Sequence, residues 1–284
     1  MKRWERRVKR NLKLIERKYA LLSRDPDQAH FTIHRARRLT KQLRAFLALL
    51  PDTAQSAISK IVRQQRDIVR QLGLVRDEAL FRENLKQLAT SLDQPIAVEI
   101  EPIDPQSMES LQLDLADQLT ALSANVFRIQ SRLQRHNVRP ERRDIARQLK
   151  RSCKKFIFLQ RPLKSEAPLE SWHELRKAGK LLEYQLRFLR KYSRVAAGPV
   201  SELMIDIGKR LGHLNDFAKA QEAIEQQVSP MGYAVRLNPT SATELLAEIA
   251  AGCQIEKEAA LQLCETVNPL LQMMIDSKSR ELIE

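Results

Sequence analysis

The chain has 284 residues, 49 Lys and Arg against 35 Asp and Glu, a formal net charge of +14 and a hydrophobic fraction of 43%. That length and apolar content supply a core and exclude a disordered chain. Only seven glycines among long leucine-rich amphipathic stretches point to an all-α protein, and the cationic excess predicts attraction to polyanions without choosing among nucleic acid, polyphosphate and acidic membrane.

Residues 2–22 predict a helix with Trp4, Val8, Leu12, Ile15, Tyr19 and Leu22 on an apolar stripe, and Arg3, Arg6, Arg10 and Lys13 among the cations on another face. Pro26 ends it. A second helix is expected over about 32–50, stopping before Pro51. A third, about 53–72, bears Arg63, Arg66 and Arg70 at helical spacing. Gly73 predicts a break, after which a fourth helix opens at Arg76-Asp77 and reaches about Leu92. Residues 93–107 contain Pro95, Pro102 and Pro105 and read as the connector between an N-terminal half, about 1–92, and a C-terminal half, about 108–284. The alternating run Ile96–Ile100 is taken as linker rather than strand.

The second half opens with a helix at about 108–136. Another follows at about 140–160, entered through Pro140 and carrying Arg143, Arg147, Lys150 and Lys154. Ser171-x-x-Glu174 predicts a capping box for a helix running through Leu189. Pro199, Pro230, Pro239 and Pro269 punctuate the remainder, leaving two C-terminal helices of about ten in all. Residues 240–284 are acidic on balance and are not expected to form an anion surface.

Two segments repeat each other. The first reads His34-x-x-Arg37-Arg38-x-x-Lys41-x-x-Arg44, and the second His173-x-x-Arg176-Lys177-x-x-Lys180. Each is followed by a shorter echo, Leu72-Gly73 with Asp77 and Leu211-Gly212 with Asp216. An offset of 139 residues separates both histidines, both glycines and both aspartates, so a duplicated helical unit organises the chain. Spacings of three, four and seven put each histidine and its cations on one helical face. Like charges at those spacings repel by a few tenths of a kcal/mol per pair, which favours an anionic partner.

The pairing of H-x-x-R-[RK]-x-x-K with a downstream L-G-x-x-x-D, present twice, resembles the CHAD family, the conserved histidine α-helical domain. The match is best over residues 30–92 and 171–225. The resemblance implies two antiparallel helical-bundle halves related by an internal pseudo-twofold repeat, with a basic groove or pore between them. It further implies non-catalytic binding of inorganic polyphosphate and association with polyphosphate granules. Carried over by position, His34, Arg37, Arg38, Lys41 and Arg44 would line one side, and His173, Arg176, Lys177 and Lys180 the other. The family's second repeat usually reads Leu-Arg-Tyr where this chain has Leu182-Glu183-Tyr184. Glu183 either shortens the second basic strip or pairs with a neighbouring cation.

Polyphosphate carries charge along its length and offers no bases to read, so its site needs cations along a track. Flexible Lys and forked Arg supply charge-assisted hydrogen bonds. The stripes Arg3/Arg6/Arg10/Lys13, Arg63/Arg66/Arg70 and Arg143/Arg147/Lys150/Lys154 extend the candidate surface. Asp77 and Asp216 are read as caps or as partners of an Arg, and His136 and His213 as incidental. A duplex nucleic-acid backbone is the alternative ligand, since aromatics at 5% of residues leave few stacking platforms. A phosphohydrolase is the third reading, although no Walker loop, H-E-x-x-H or G-x-S-x-G pattern occurs. No cofactor or metal site is expected, and Cys153, Cys253 and Cys264 read as buried reduced thiols. The longest apolar run, Ala45–Leu50, is far short of a membrane span. The expectation is a soluble cytoplasmic polyanion binder whose further partner would be a separate polyphosphate-processing enzyme.

Overall fold

The leucine stripes fold as nine helices among the described residues: α1 (Lys2–Leu22), α2 (Ala29–Leu47), α3 (Asp52–Ser91), α4 (Pro105–Arg135), α5 (Arg142–Gln160), α6 (Leu169–Leu189), α7 (Ala197–Gln226), α8 (Pro239–Asp276) and α9 (Ser279–Leu282). The computed structural model describes residues 2–22, 29–91, 96–102, 105–190 and 197–283. The class is all-α. A single antiparallel pair of two-residue strands, β1 (Glu99–Ile100) and β2 (Val235–Arg236), is the one sheet among these residues.

Shifting the bounds of α1–α4 by the 139-residue offset gives 141–161, 168–186, 191–230 and 244–274, close to the bounds of α5–α8. Helix order and approximate length thus recur at that offset, four helices to each unit. Each unit has its own core. In the first, Val8, Leu12, Ile15 and Tyr19 of α1 meet Ile33, Leu39 and Leu43 of α2, Ile58 and Leu72 of α3, and Leu115 to Leu133 of α4. Tyr19 and Thr40 share a hydrogen bond of 2.5 Å inside it, and burial pushes the Tyr19 phenol up to about 12. The second core gathers the stripes of α5–α9.

This packing differs from the sequence reading in where α4 belongs. Prolines and acids make residues 93–107 look like an interdomain connector, yet the α4 stripe Leu119, Leu122, Val126 and Ile129 closes the first core against α1. The connector lies within the first unit, and the units join at residues 136–141.

Four local expectations are corrected. Gly73 does not break a helix, because α3 runs unbroken from Asp52 to Ser91. A mid-helix glycine costs only about 1 kcal/mol, less than packing on both sides of it supplies. Pro140 precedes α5 instead of entering it; Glu141 is the N-cap, in a reciprocal box with Asp144. Ser171 is no cap, since α6 already starts at Leu169 after Pro168, and Glu174 binds Lys177 at 2.6 Å instead. Pro269 sits inside α8, where Cys264, Val267, Leu271 and Met274 hold the helix in the core.

The two units are fastened at several points. Helices α2 and α6 pack side by side, and the rings of Phe46 and Phe188 lie 4.7 Å apart at 56°. Helix α3 enters both cores, the first through Ala54, Ile58 and Leu72 and the second through Phe81, Leu85 and Ala89. At its start, Asp52 accepts from Arg151 at 2.9 Å and Gln148 at 2.9 Å on α5, and these donors hold its carboxyl below the usual range. Near its end, Arg82 donates to Glu78 at 2.6 Å and to the Glu101 carbonyl at 2.7 Å, and lies over the Tyr233 ring. The fully buried Glu78 also accepts from the Met231 amide at 3.1 Å. The run 96–100, read as linker, ends in β1: Glu99 pairs with Arg236 and Ile100 with Val235.

Phe188 packs against both cores. Phe188→Ala is expected to cost about 2 kcal/mol of stability, less than a fully buried Phe because part of the ring is exposed. Urea denaturation followed by circular dichroism checks this, and an unchanged midpoint would show that the α2–α6 contact is dispensable.

Candidate anion-binding cleft

Ala36, Leu39 and Leu43 bury one face of α2, and Trp172, Leu175 and Leu182 bury one face of α6. Helical periodicity then turns the ladders away from those cores. Between the units lies a cleft of about 270 Å³ that takes Arg37 and Lys41 from α2, Asp77 and Asn84 from α3, His173 and Arg176 from α6, and Asn215, Asp216 and Lys219 from α7. Four cations thus face two carboxylates there. The duplicated ladders meet at the seam between the units.

Asp77 stands at the centre of the charge pattern. Its carboxylate is 2.7 Å from Lys219 Nζ and 3.6 Å from Arg37 Nη2, so one acid of the first unit joins cations of both. Neither Asp77 nor Asp216 caps a helix; both lie inside long ones, α3 and α7. Burial pushes the Arg176 guanidinium down from its ordinary value, while Asp216 and Asp77 support its charge. Its Nε is buried without a hydrogen-bond partner. His173 Nδ1 lies 3.2 Å from Asn215 Oδ1, whose amide in turn donates to Asp216 at 3.4 Å. With the amide oxygen as acceptor, the His173 proton sits on Nδ1. That leaves Nε2 as the acceptor of the neutral ring and a donor once the ring is protonated.

The two glycines of the repeated echo have unlike roles. At Gly73 a Cβ would overlap the Arg37 guanidinium, so the missing side chain is what lets Arg37 lie across α3. Gly212 has open space around it. The second unit uses Gly208 instead, where a Cβ would come within 2.6 Å of Lys180 Nζ.

Glu183 pairs with its neighbours. It is 3% exposed and accepts from Lys180 at 2.8 Å and from Arg187 at 3.3 Å. Lys177 is held by Glu174 on its own helix. The second ladder therefore delivers His173 and Arg176 to the cleft, while Lys177 and Lys180 are engaged by acids. Burial pushes the Tyr184 phenol up and the Glu183 charge adds to the rise, against the fields of Arg38, Arg187 and Arg176.

A second groove of about 560 Å³, shared by α2, α3 and α6, contains Arg44, Arg63 and Arg66, with Arg44 three residues beyond Lys41 on α2. Burial lowers the Arg44 pKa, and the nearby Arg66 lowers it further. His34 and Arg70 are exposed on α2 and α3 and line neither groove. The α1 and α5 stripes are not part of the cleft either. Arg6, Arg10 and Lys13 are exposed on α1, and the Arg3 side chain lies outside the described residues. On α5, Arg143 pairs with Glu141 at 2.9 Å and Arg147 with Asp144 at 2.8 Å. Lys150 donates to the Ser277 carbonyl at 2.5 Å, and Lys154 is exposed.

Lys219, Asn215 and Asn84 are the polar cleft residues that sequence reasoning missed. A search by repeat passes over Lys219 because Leu80 stands at the equivalent position, 139 residues earlier. The available signal was local: Lys219 follows Asp216 by three positions, on the same helical face. His213, set aside as incidental, is 2.9 Å from the largely buried Glu256 and with Arg210 ties α7 to α8.

Among the described residues no group of three or more His, Cys, Asp or Glu is placed to hold a metal ion. The three cysteines are buried and free, and burial pushes the Cys153 and Cys264 thiols up to about 12. No helix of these residues is long and apolar enough to cross a membrane. Chemically, the cleft offers charge-assisted donors to an anion that can displace Asp77 from Lys219 and Arg37.

The CHAD domain family model matches residues 6–225, a span that contains both ladders and every cleft residue. No curated protein matches the chain, and no solved structure does.

Proposed function

This chain belongs to the CHAD domain family, and from that membership together with the cleft we propose that it binds inorganic polyphosphate between α2 and α6 without cleaving it. One observation carries the reading: Arg37, Lys41, Arg176 and Lys219, from three helices of both units, converge on one cleft. Internal phosphates of such a chain each bear about one negative charge and no bulky substituent. A bare phosphate chain can follow the recess, where the sugars and bases of a duplex would stand off. Association with polyphosphate granules follows from that affinity. A separate polyphosphate-processing enzyme would act on the part of the chain outside the cleft.

The test is a salt titration of binding to long-chain polyphosphate, with duplex DNA of equal charge as competitor. Each phosphate contact on a flexible strand contributes a slope of roughly −0.7 in log K against log salt. Four cleft cations therefore predict a slope of about −3 or steeper. DNA is expected not to displace the polymer, and no phosphate is expected to be released. Displacement by DNA at matched charge would replace this reading with general polyanion binding, and phosphate release dependent on His173 would make the protein a hydrolase.

A further inference from the structure

The cleft is not equally cationic at its two ends. Towards α6 and α7 it opens into a hollow of about 420 Å³ that adds Glu170, Glu222 and Glu225 to the His173, Arg176 and Lys219 it shares with the cleft. On the α2 and α3 side, Arg44 stands about one helical turn beyond Lys41 and lines a separate groove with Arg63 and Arg66. Across α3 from Arg63 lies another groove of about 520 Å³, between α3 and α4. Its charged residues are Lys60, Arg128, Arg132 and Arg135, with no acid among its lining.

We infer that a polyphosphate chain longer than the cleft leaves it in one direction only, over α3 and into this α3–α4 groove, where Lys60, Arg128, Arg132 and Arg135 hold it. The inference rests on the polyphosphate reading above and adds a binding site to it. Lys60 and Arg63 are three residues apart on α3, so the two outer grooves share one helical ridge. Two cations of the α3–α4 groove are held by uncharged acceptors. Arg132 Nε donates to the Ala57 carbonyl at 3.4 Å and Arg128 to the Asn125 amide oxygen at 3.4 Å, both neutral acceptors. On α5, by contrast, Arg143 and Arg147 are already neutralised by carboxylates. Along the path over α3, Asp67 is the acid that interrupts, 3.5 Å from Arg66. At the opposite end three carboxylates repel a chain that would leave that way.

The test compares tripolyphosphate, which the cleft alone can hold, with long-chain polyphosphate. The variant is Lys60→Gln, Arg128→Gln, Arg132→Gln and Arg135→Gln together. A charge-matched control replaces Arg161, Lys164, Arg190 and Lys257 by Gln. The groove variant is expected to bind long chains more weakly, on the order of tenfold, with a salt slope shallower by about 3. It should bind tripolyphosphate as the wild type does, and the control should lose far less for long chains. Should the fourfold variant melt early, Arg128→Gln with Arg135→Gln, both exposed, is expected to give about half the slope change. Unchanged long-chain affinity and slope overturn the inference. So does a groove variant that loses single-stranded RNA and keeps polyphosphate, which would assign the groove and its exposed Phe127 to nucleic acid. A wild-type protein that binds neither probe sinks the polyphosphate reading itself, and this inference with it.

Discussion

Replacing Arg37, Lys41, Arg176 and Lys219 together by Gln is expected to weaken polyphosphate binding at least about a hundredfold with helicity intact. A hydrogen bond to a charged group contributes about 1.5–3 kcal/mol, so losing two of the four already reaches that factor. Lys219 belongs in the set because it is the cation nearest Asp77, at 2.7 Å. Lys180 does not, because Glu183 already occupies it. The variant takes Arg37 and Lys219 away from Asp77, and adding Asp77→Asn is expected to recover part of the stability lost. Circular dichroism and binding to long-chain polyphosphate are read on both variants. Full-strength binding by the folded fourfold variant would place the site elsewhere on the molecule. Unfolding that Asp77→Asn does not repair would mean these cations serve the fold.

Glu183→Arg, which restores the cation the family pattern favours, is expected to cost about 3–5 kcal/mol of stability and to gain no affinity. The carboxylate is 3% exposed and holds Lys180 and Arg187. An arginine there would put three cations together with the buried one unpaired, and like charges in a poorly solvated place repel strongly. The urea midpoint measures the loss. Stability held within about 1 kcal/mol together with tighter polyphosphate binding would show instead that the second ladder is longer than its present pairing suggests.

Much of the fold was legible because helical stripes report directly on burial. The α1 stripe Val8, Leu12, Ile15 and Tyr19 is buried as its spacing requires, and helix bounds recur at the offset that separates the ladders. Other features depend on contacts far away in sequence, which no local pattern carries. Gly73 reads as a breaker until Arg37 is seen lying across it. Residues 99–100 read as linker until Val235 and Arg236 arrive to pair with them. Arg37, Lys41, His173 and Arg176 of the ladders line one cleft. The ladders could not tell which cations are taken by acids on their own helix, as Lys177 and Lys180 are. That depends on rotamers and burial rather than on spacing.

Helix α3 has 40 residues and spans about 60 Å. Its first half is a wall of one core and its last turns are a wall of the other, with Asp77 between them. Two units that share a helix in this way cannot be separated intact. Cut at residues 136–141, the first piece would carry Phe81, Leu85 and Ala89 bare to water, and the second would lack the surface that covers them. Melting one core pulls a rigid rod out of the other, so the two units should unfold in a single transition.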